Sequence, residues 1–146
     1  MTEDSLRDLY CTCCHVRRAA RKLTRMYEAA LEPSGLTAMQ FAILAAIARN
    51  PSAGRVQIAE LLDMDTSTLS RGLAPLMREG LVAVADGKIR SGHLELTADG
   101  RKTFEAAVPM WQKAQSAVHK ALGGTQTKDL HHLLMELPGE AAIAAR

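Results

Sequence analysis

Cys11, Cys13, Cys14 and His15 fall within the pentapeptide CTCCH. Thiolates and a neutral imidazole are ligands for a soft cation such as zinc. The same thiols could instead form a redox pair. Arg17, Arg18 and His15 lie within about a turn of them, and nearby positive charge lowers a thiol pKa. On a helix, Cys11, Cys14 and His15 share one face at three- and four-residue spacing, and Cys13 points elsewhere. Oxidation would then join Cys11 to Cys14. A third reading is plain packing, because a buried cysteine behaves as a small apolar residue. The residue types leave the three readings open. His131 and His132, in KDLHHLLMEL, are candidates for a fourth metal ligand. Cys11 to Cys14 is also a C-x-x-C, but that pattern signals an oxidoreductase only beside a βαβ unit, which this chain does not suggest.

A second group of residues suits a different chemistry. Thr66, Ser67, Thr68, Ser70 and Arg71 come from TSTLSR. Small hydroxyl side chains allow close approach to phosphates and base edges, and arginine can pair with guanine through two hydrogen bonds. Lys88, Arg90 and His93 lie in ADGKIRSGH. Cations at a loop tip suit a narrow, electronegative minor groove. Gln57, near the start of a short helix, could meet a phosphate through its side chain or through the helix N-terminus.

The elements that must position these groups are mainly helical. Of the 146 residues, 47% are hydrophobic and only 3% aromatic, with alanine, leucine and methionine frequent. Those residues favour helices over strands. The length fits one domain. The net charge of +2 is too mild to define a partner by itself. No apolar run is long enough to span a membrane. The start, MTEDSLRDLY, is acidic and lacks a signal-peptide core. A cytoplasmic location is therefore expected, where thiols stay mostly reduced. Three cysteines in one pentapeptide exclude a secreted disulfide framework.

Helical periodicity runs from a capping box at Ser5 and Asp8 to about Leu31, where EPSG breaks it. Thr37 caps a second helix, AMQFAILAAIARN, which is apolar nearly all round and should be buried. VQIAELLDM is a short third helix. Asp65 or Thr66 caps a fourth, and Gly80 closes it. Pro75 falls inside that helix, where proline costs about 3 kcal/mol, but behind the residues that would face DNA. Leu81–Ala85 and Leu94–Leu96 flank a polar turn, a hairpin signature. A long helix, kinked at Pro109, runs from Thr97 to about Leu122, and a last one from about Gln126 to Leu137.

Two short helices joined by a tight turn and followed by a hairpin make a winged helix-turn-helix. Leu69, Leu73, Leu76 and Met77 would hold the fourth helix to the core while its first residues reach base edges. LTAMQFAIL, IAELLDMDTSTLSRGLAPLMREGLV and LTADGR together resemble the MarR family of bacterial transcriptional regulators. The resemblance covers nearly the whole chain, taken as one domain over 1–146. It implies dimerisation helices over about 5–33 and 98–146, and a winged helix-turn-helix over about 36–97 with its wing near 81–96. It also implies an intertwined homodimer on palindromic double-stranded DNA, and repression relieved by a small aromatic anion or by cysteine oxidation. The cysteine segment would then lie in or beside the dimer interface, where a bridge to the second copy is a further oxidation product. Many relatives carry Asp-x-Arg in a longer wing, and the wing here is short. A ligand pocket is expected where the first, second and fifth helices meet, with Arg21 as counter-charge and Tyr27, Met39, Phe41 and Trp111 as lining or core. No enzymatic activity is expected, and no cofactor apart from a metal at the Cys–His cluster. The alternatives are a C-x-x-C oxidoreductase and an architectural DNA-binding protein that senses nothing.

Overall fold

The computed structural model describes residues 11–85 and 92–144. The proposed capping box at Ser5 and Asp8 lies outside them. Helix α1 spans Thr12–Leu31 and has Cys11 as its N-cap, with extended backbone (φ −91°, ψ 107°). The Cys11 carbonyl accepts the first helical N–H, from His15, at 3.1 Å. The sequence reading carried the helix through Cys11. The chain enters it at Thr12 instead, in a stretch of cysteine and threonine that are poor helix formers. Only Leu31 of α1 is buried, and a 3₁₀ turn over Glu32–Ser34 ends the run.

Helix α2, Ala38–Arg49, begins with a full capping box: Thr37 Oγ1 accepts the Gln40 N–H, and Gln40 Oε1 accepts the Thr37 N–H. Phe41, Ile43, Leu44 and Ile47 are buried. As its all-round apolar sequence requires, α2 is central and touches α1, both helices that follow it, and the second strand.

Helix α3 is short, Arg55–Leu61. Asp63 ends it with φ +49°, in the left-handed region, and the Met64 N–H reaches back to the Ala59 carbonyl at 3.0 Å. This tight reversal leads into α4, Thr66–Arg78, capped by Asp65. The helix continues through Pro75. Gly80 (φ +71°) supplies the left-handed residue that lets the Leu81 N–H close on the Leu76 carbonyl.

Strands β1 (Val82–Val84) and β2 (Leu94–Leu96) pair antiparallel, with Val82 opposite Leu96 and Val84 opposite Leu94. The Leu94 N–H also bonds the Ala53 carbonyl at 2.9 Å, tying the hairpin base to the loop before α3. Thr97 then joins the hairpin to α5, Ala98–Leu122: its Oγ1 donates to the Gly80 carbonyl and accepts the Gly100 N–H. At Gly100 the helix backbone passes so close to the residue before β1 that an added Cβ would collide with the Leu81 carbonyl oxygen.

The chain divides into two compact units after Trp111. The core of the first is built from Leu31, Phe41, Ile43, Leu44, Ile58, Leu69, Leu73, Leu76, Leu94 and their neighbours. The second holds the end of α5, helix α6 (Gly124–Met135) and the single turn α7 (Ala141–Ala144). In it the buried Thr127 hydroxyl bonds the Gly123 carbonyl at 2.7 Å.

Candidate nucleic-acid interface

Helix α4 is divided by polarity along its length. Leu69, Leu73 and Leu76 are fully buried at four- and three-residue steps. Thr66, Ser67, Ser70 and Arg71 are exposed on the other side, and Thr68 is half-buried. One carboxylate organises the first turn. Asp65 Oδ1 accepts the Thr68 N–H and the Ser67 hydroxyl, each at 2.6 Å. The Ser67 hydroxyl, then the Thr68 groups, hold the Asp65 pKa down to about 2. The Arg71 guanidinium lies 3.3 Å from Thr68 Oγ1, one turn along. A flat donor fork, hydroxyls and a fixed carboxylate thus project from a helix anchored by leucines.

Gln57 has part of its amide committed: its Oε1 accepts the Gly54 N–H at 2.8 Å and closes the start of α3. Its –NH₂ remains a donor suited to a phosphate. Lys88 and Arg90 lie outside the described residues. His93 is exposed at the base of the wing, where its carbonyl accepts the Ala85 N–H at 2.8 Å.

A sequence model of the MarR family matches residues 34–88. The structure of the M. tuberculosis transcriptional regulator MosR is 36% identical, covering 94% of this chain and 98% of its own, with a TM-score of 0.76. This chain belongs to the MarR family. MosR in complex with DNA matches at 38% identity, covering 93% of this chain and 98% of that one, with a TM-score of 0.74. Bordetella bronchiseptica BpsR, whose DNA binding is regulated by 6-hydroxynicotinic acid, is 22% identical and shares the fold. It covers 88% of this chain and 95% of its own, with a TM-score of 0.77. Comparison with curated protein sequences found no match. As a MarR-family member the chain is a DNA-binding transcriptional regulator, and its fold is the mainly helical winged helix expected from its sequence.

In this MarR-family chain the cysteine cluster opens α1, with Cys11 at the N-cap and Cys13 and Cys14 in the first turn. Cys11 is half-buried, Cys13 and Cys14 are exposed, and all three are free thiols. The Cys14 N–H points towards the Cys11 sulfur without closing a full cap bond. With the Cys14 thiol it lowers the Cys11 pKa, and the same thiol contact raises that of Cys14. The metal reading of Cys11, Cys14 and His15 does not fit this geometry. His15 Nδ1 turns back to the Cys11 carbonyl at 2.9 Å, and among the described residues no three such side chains are placed to hold an ion. His131 and His132 are both exposed on α6. Cys13 and Cys14 face outward on the chain, so the packing reading applies to an interface with a second copy. The C-x-x-C lacks a thioredoxin-like frame, because among the described residues the sheet is one antiparallel pair.

The first unit also contains a cavity of about 420 Å³, lined by Tyr27, Phe41, Phe104 and Trp111 together with Arg49, Asn50 and the alanines of α2. Phe41 stacks on Trp111 with centroids 5.9 Å apart and meets Phe104 at 5.4 Å. Burial raises the Tyr27 pKa. The structure brings Tyr27, Phe41 and Trp111 together but leaves out Met39 and Arg21. Helical phase explains Met39: it lies two residues from Phe41, about 200° around the helix. Ala38, Phe41, Ala42, Ala45 and Arg49 recur at three- and four-residue steps and share the lining. Arg21 is exposed on α1, nearly two turns before Tyr27. The cation at the cavity is Arg49, at the end of α2. The spacing of α2 carries that signal, and the basic run of α1 masks it in the sequence.

Proposed function

We propose that this MarR-family protein is a homodimeric repressor that reads a palindromic operator through α4 of each copy and works in the cytoplasm without enzymatic turnover. One observation carries the reading: the buried leucine face of α4 lies opposite an exposed Thr66, Ser67, Ser70 and Arg71 face. A helix so divided can enter the major groove without exposing core. Thr66, Ser67, Thr68, Ser70 and Arg71 are assigned to base edges and nearby phosphates, Gln57 to a phosphate, and Lys88 and Arg90 to the minor groove beside the wing.

Two features support release of the DNA. The aromatic cavity with Arg49 at its wall suits a small aromatic anion, the class that regulates BpsR. The Cys11–Cys14 pair suits peroxide. The Cys11 thiolate would take one peroxide oxygen as the O–O bond breaks, giving a sulfenic acid and water. The Cys14 thiol would then displace that oxygen as a second water and form the disulfide.

The test is binding of the reduced, full-length protein to DNA from its own upstream region. Arg71→Ala should weaken specific binding at least tenfold, within the 1–3 kcal/mol that a bidentate arginine–guanine pair supplies. Unchanged operator affinity would remove α4 from the interface. Release by 4-hydroxybenzoate that disappears in Arg49→Ala assigns the sensor to the cavity. Release by peroxide that disappears in Cys11→Ser assigns it to the thiols. Binding unaffected by either makes the protein an architectural DNA binder.

A further inference from the structure

Ser67 is exposed at the leading end of α4, and its hydroxyl lies 2.6 Å from Asp65 Oδ1. A serine hydroxyl has one hydrogen to donate and two lone pairs with which to accept. A carboxylate only accepts, so the hydrogen of this pair must come from Ser67. With a pKa held near 2, Asp65 keeps no proton at any pH at which the protein works. The same oxygen accepts the Thr68 N–H, which fixes the carboxylate in place. Ser67 therefore turns only lone pairs to the outside.

We propose that Asp65 makes Ser67 an acceptor-only reader, which selects adenine or cytosine at one position of each half-site. The inference rests on the reading of α4 as the DNA-facing helix. In the major groove, adenine N6 and cytosine N4 are the donors, whereas guanine offers O6 and N7 and thymine offers O4, all acceptors. An acceptor-only hydroxyl pairs with the first two and is left facing a lone pair by the others. Phosphate oxygens are acceptors too, so Ser67 is confined to base edges, and any phosphate contact of this face falls to Thr66, Ser70 and Arg71. Arg71, four residues on, has the opposite polarity: its guanidinium only donates and suits guanine. Asp65 acts through Ser67 and is a positioning residue; Ser67 is the specificity-determining one.

The experiment is selection of the full-length protein on a DNA library with randomised half-sites, read by sequencing. Wild type, Ser67→Ala and Asp65→Gly are compared. In wild type, one half-site position should favour adenine and cytosine over guanine and thymine by about fivefold, the value of one hydrogen bond. Ser67→Ala should flatten that position while the guanine position of Arg71 persists. Glycine at 65 is itself a tolerated N-cap, but it offers Ser67 no acceptor and frees the hydroxyl to turn. Asp65→Gly should therefore admit guanine and thymine at the same position, which loss of a purely capping role would not do. Three outcomes overturn the proposal: no position with that bias in wild type, a bias that survives in Ser67→Ala, or a bias unchanged in Asp65→Gly. A wild type that enriches no sequence at all overturns the DNA-facing assignment of α4 itself, a distinguishable failure.

Discussion

Asp65 has a consequence for stability as well as for recognition. Its carboxyl titrates near 3.8 in the unfolded chain and near 2 when folded. A lowered folded pKa means the charged form is what the fold stabilises. The contribution is complete above pH 3.8, declines as pH falls, and is gone below about 2. Thermal unfolding followed between pH 5 and pH 2 should show wild type losing melting temperature more steeply than Asp65→Asn, whose side chain does not titrate. Parallel curves would remove Asp65 as a source of acid sensitivity. The sequence narrowed this cap to Asp65 or Thr66, and it marked Thr37 and Gly80 outright, because capping depends on a few consecutive residues. Arg49 was not singled out. Its meaning comes from the helical phase of α2 and from Phe104 and Trp111, which are distant in sequence. The acceptor polarity of Ser67 was also hidden, since a hydroxyl's donor is chosen by a neighbour's geometry.

Among the elements, the junction of wing and α5 is the least tolerant. The Thr97 hydroxyl bridges the Gly80 carbonyl and the Gly100 N–H, and a side chain at 100 would meet the Leu81 carbonyl, which is backbone and cannot swing aside. Gly100→Ala is expected to destabilise the fold by about 2–3 kcal/mol, in the range of overpacked sites. Urea denaturation measures it, and a change below about 0.5 kcal/mol, ordinary for a surface site, would contradict the close approach. The order of helices and hairpin followed from periodicity and breakers. Two boundaries did not. The turn between α3 and α4 uses Asp63 in a left-handed conformation where no glycine advertises it. Helix α1 starts at Thr12, within a Cys-Thr-Cys-Cys run that holds no strong helix former to mark the limit.

At the scale of the whole molecule, one chain leaves much apolar surface uncovered. On α1, Leu23 is exposed and Val16 only half-buried. Leu133, Leu134, Met135 and Ile143 are exposed in the second unit. If the homodimer covers these surfaces, the melting temperature must rise with protein concentration, because association stabilises by mass action. Calorimetry over a hundredfold dilution tests this, and a constant melting temperature at a monomeric sedimentation mass would oppose the dimer. The winged helix was legible because one chain builds it alone. The homodimer is expected only through family resemblance, since a single chain carries no burial that would mark it. The cavity of the first unit has a practical side as well. Trp111 is the only tryptophan in the chain, and it stacks on Phe41 at the cavity wall. Indole emission shifts with the polarity of its surroundings, so the protein carries its own optical reporter there. The colour and intensity of its ultraviolet fluorescence follow what enters that space, with no label attached and no second indole to confuse the signal.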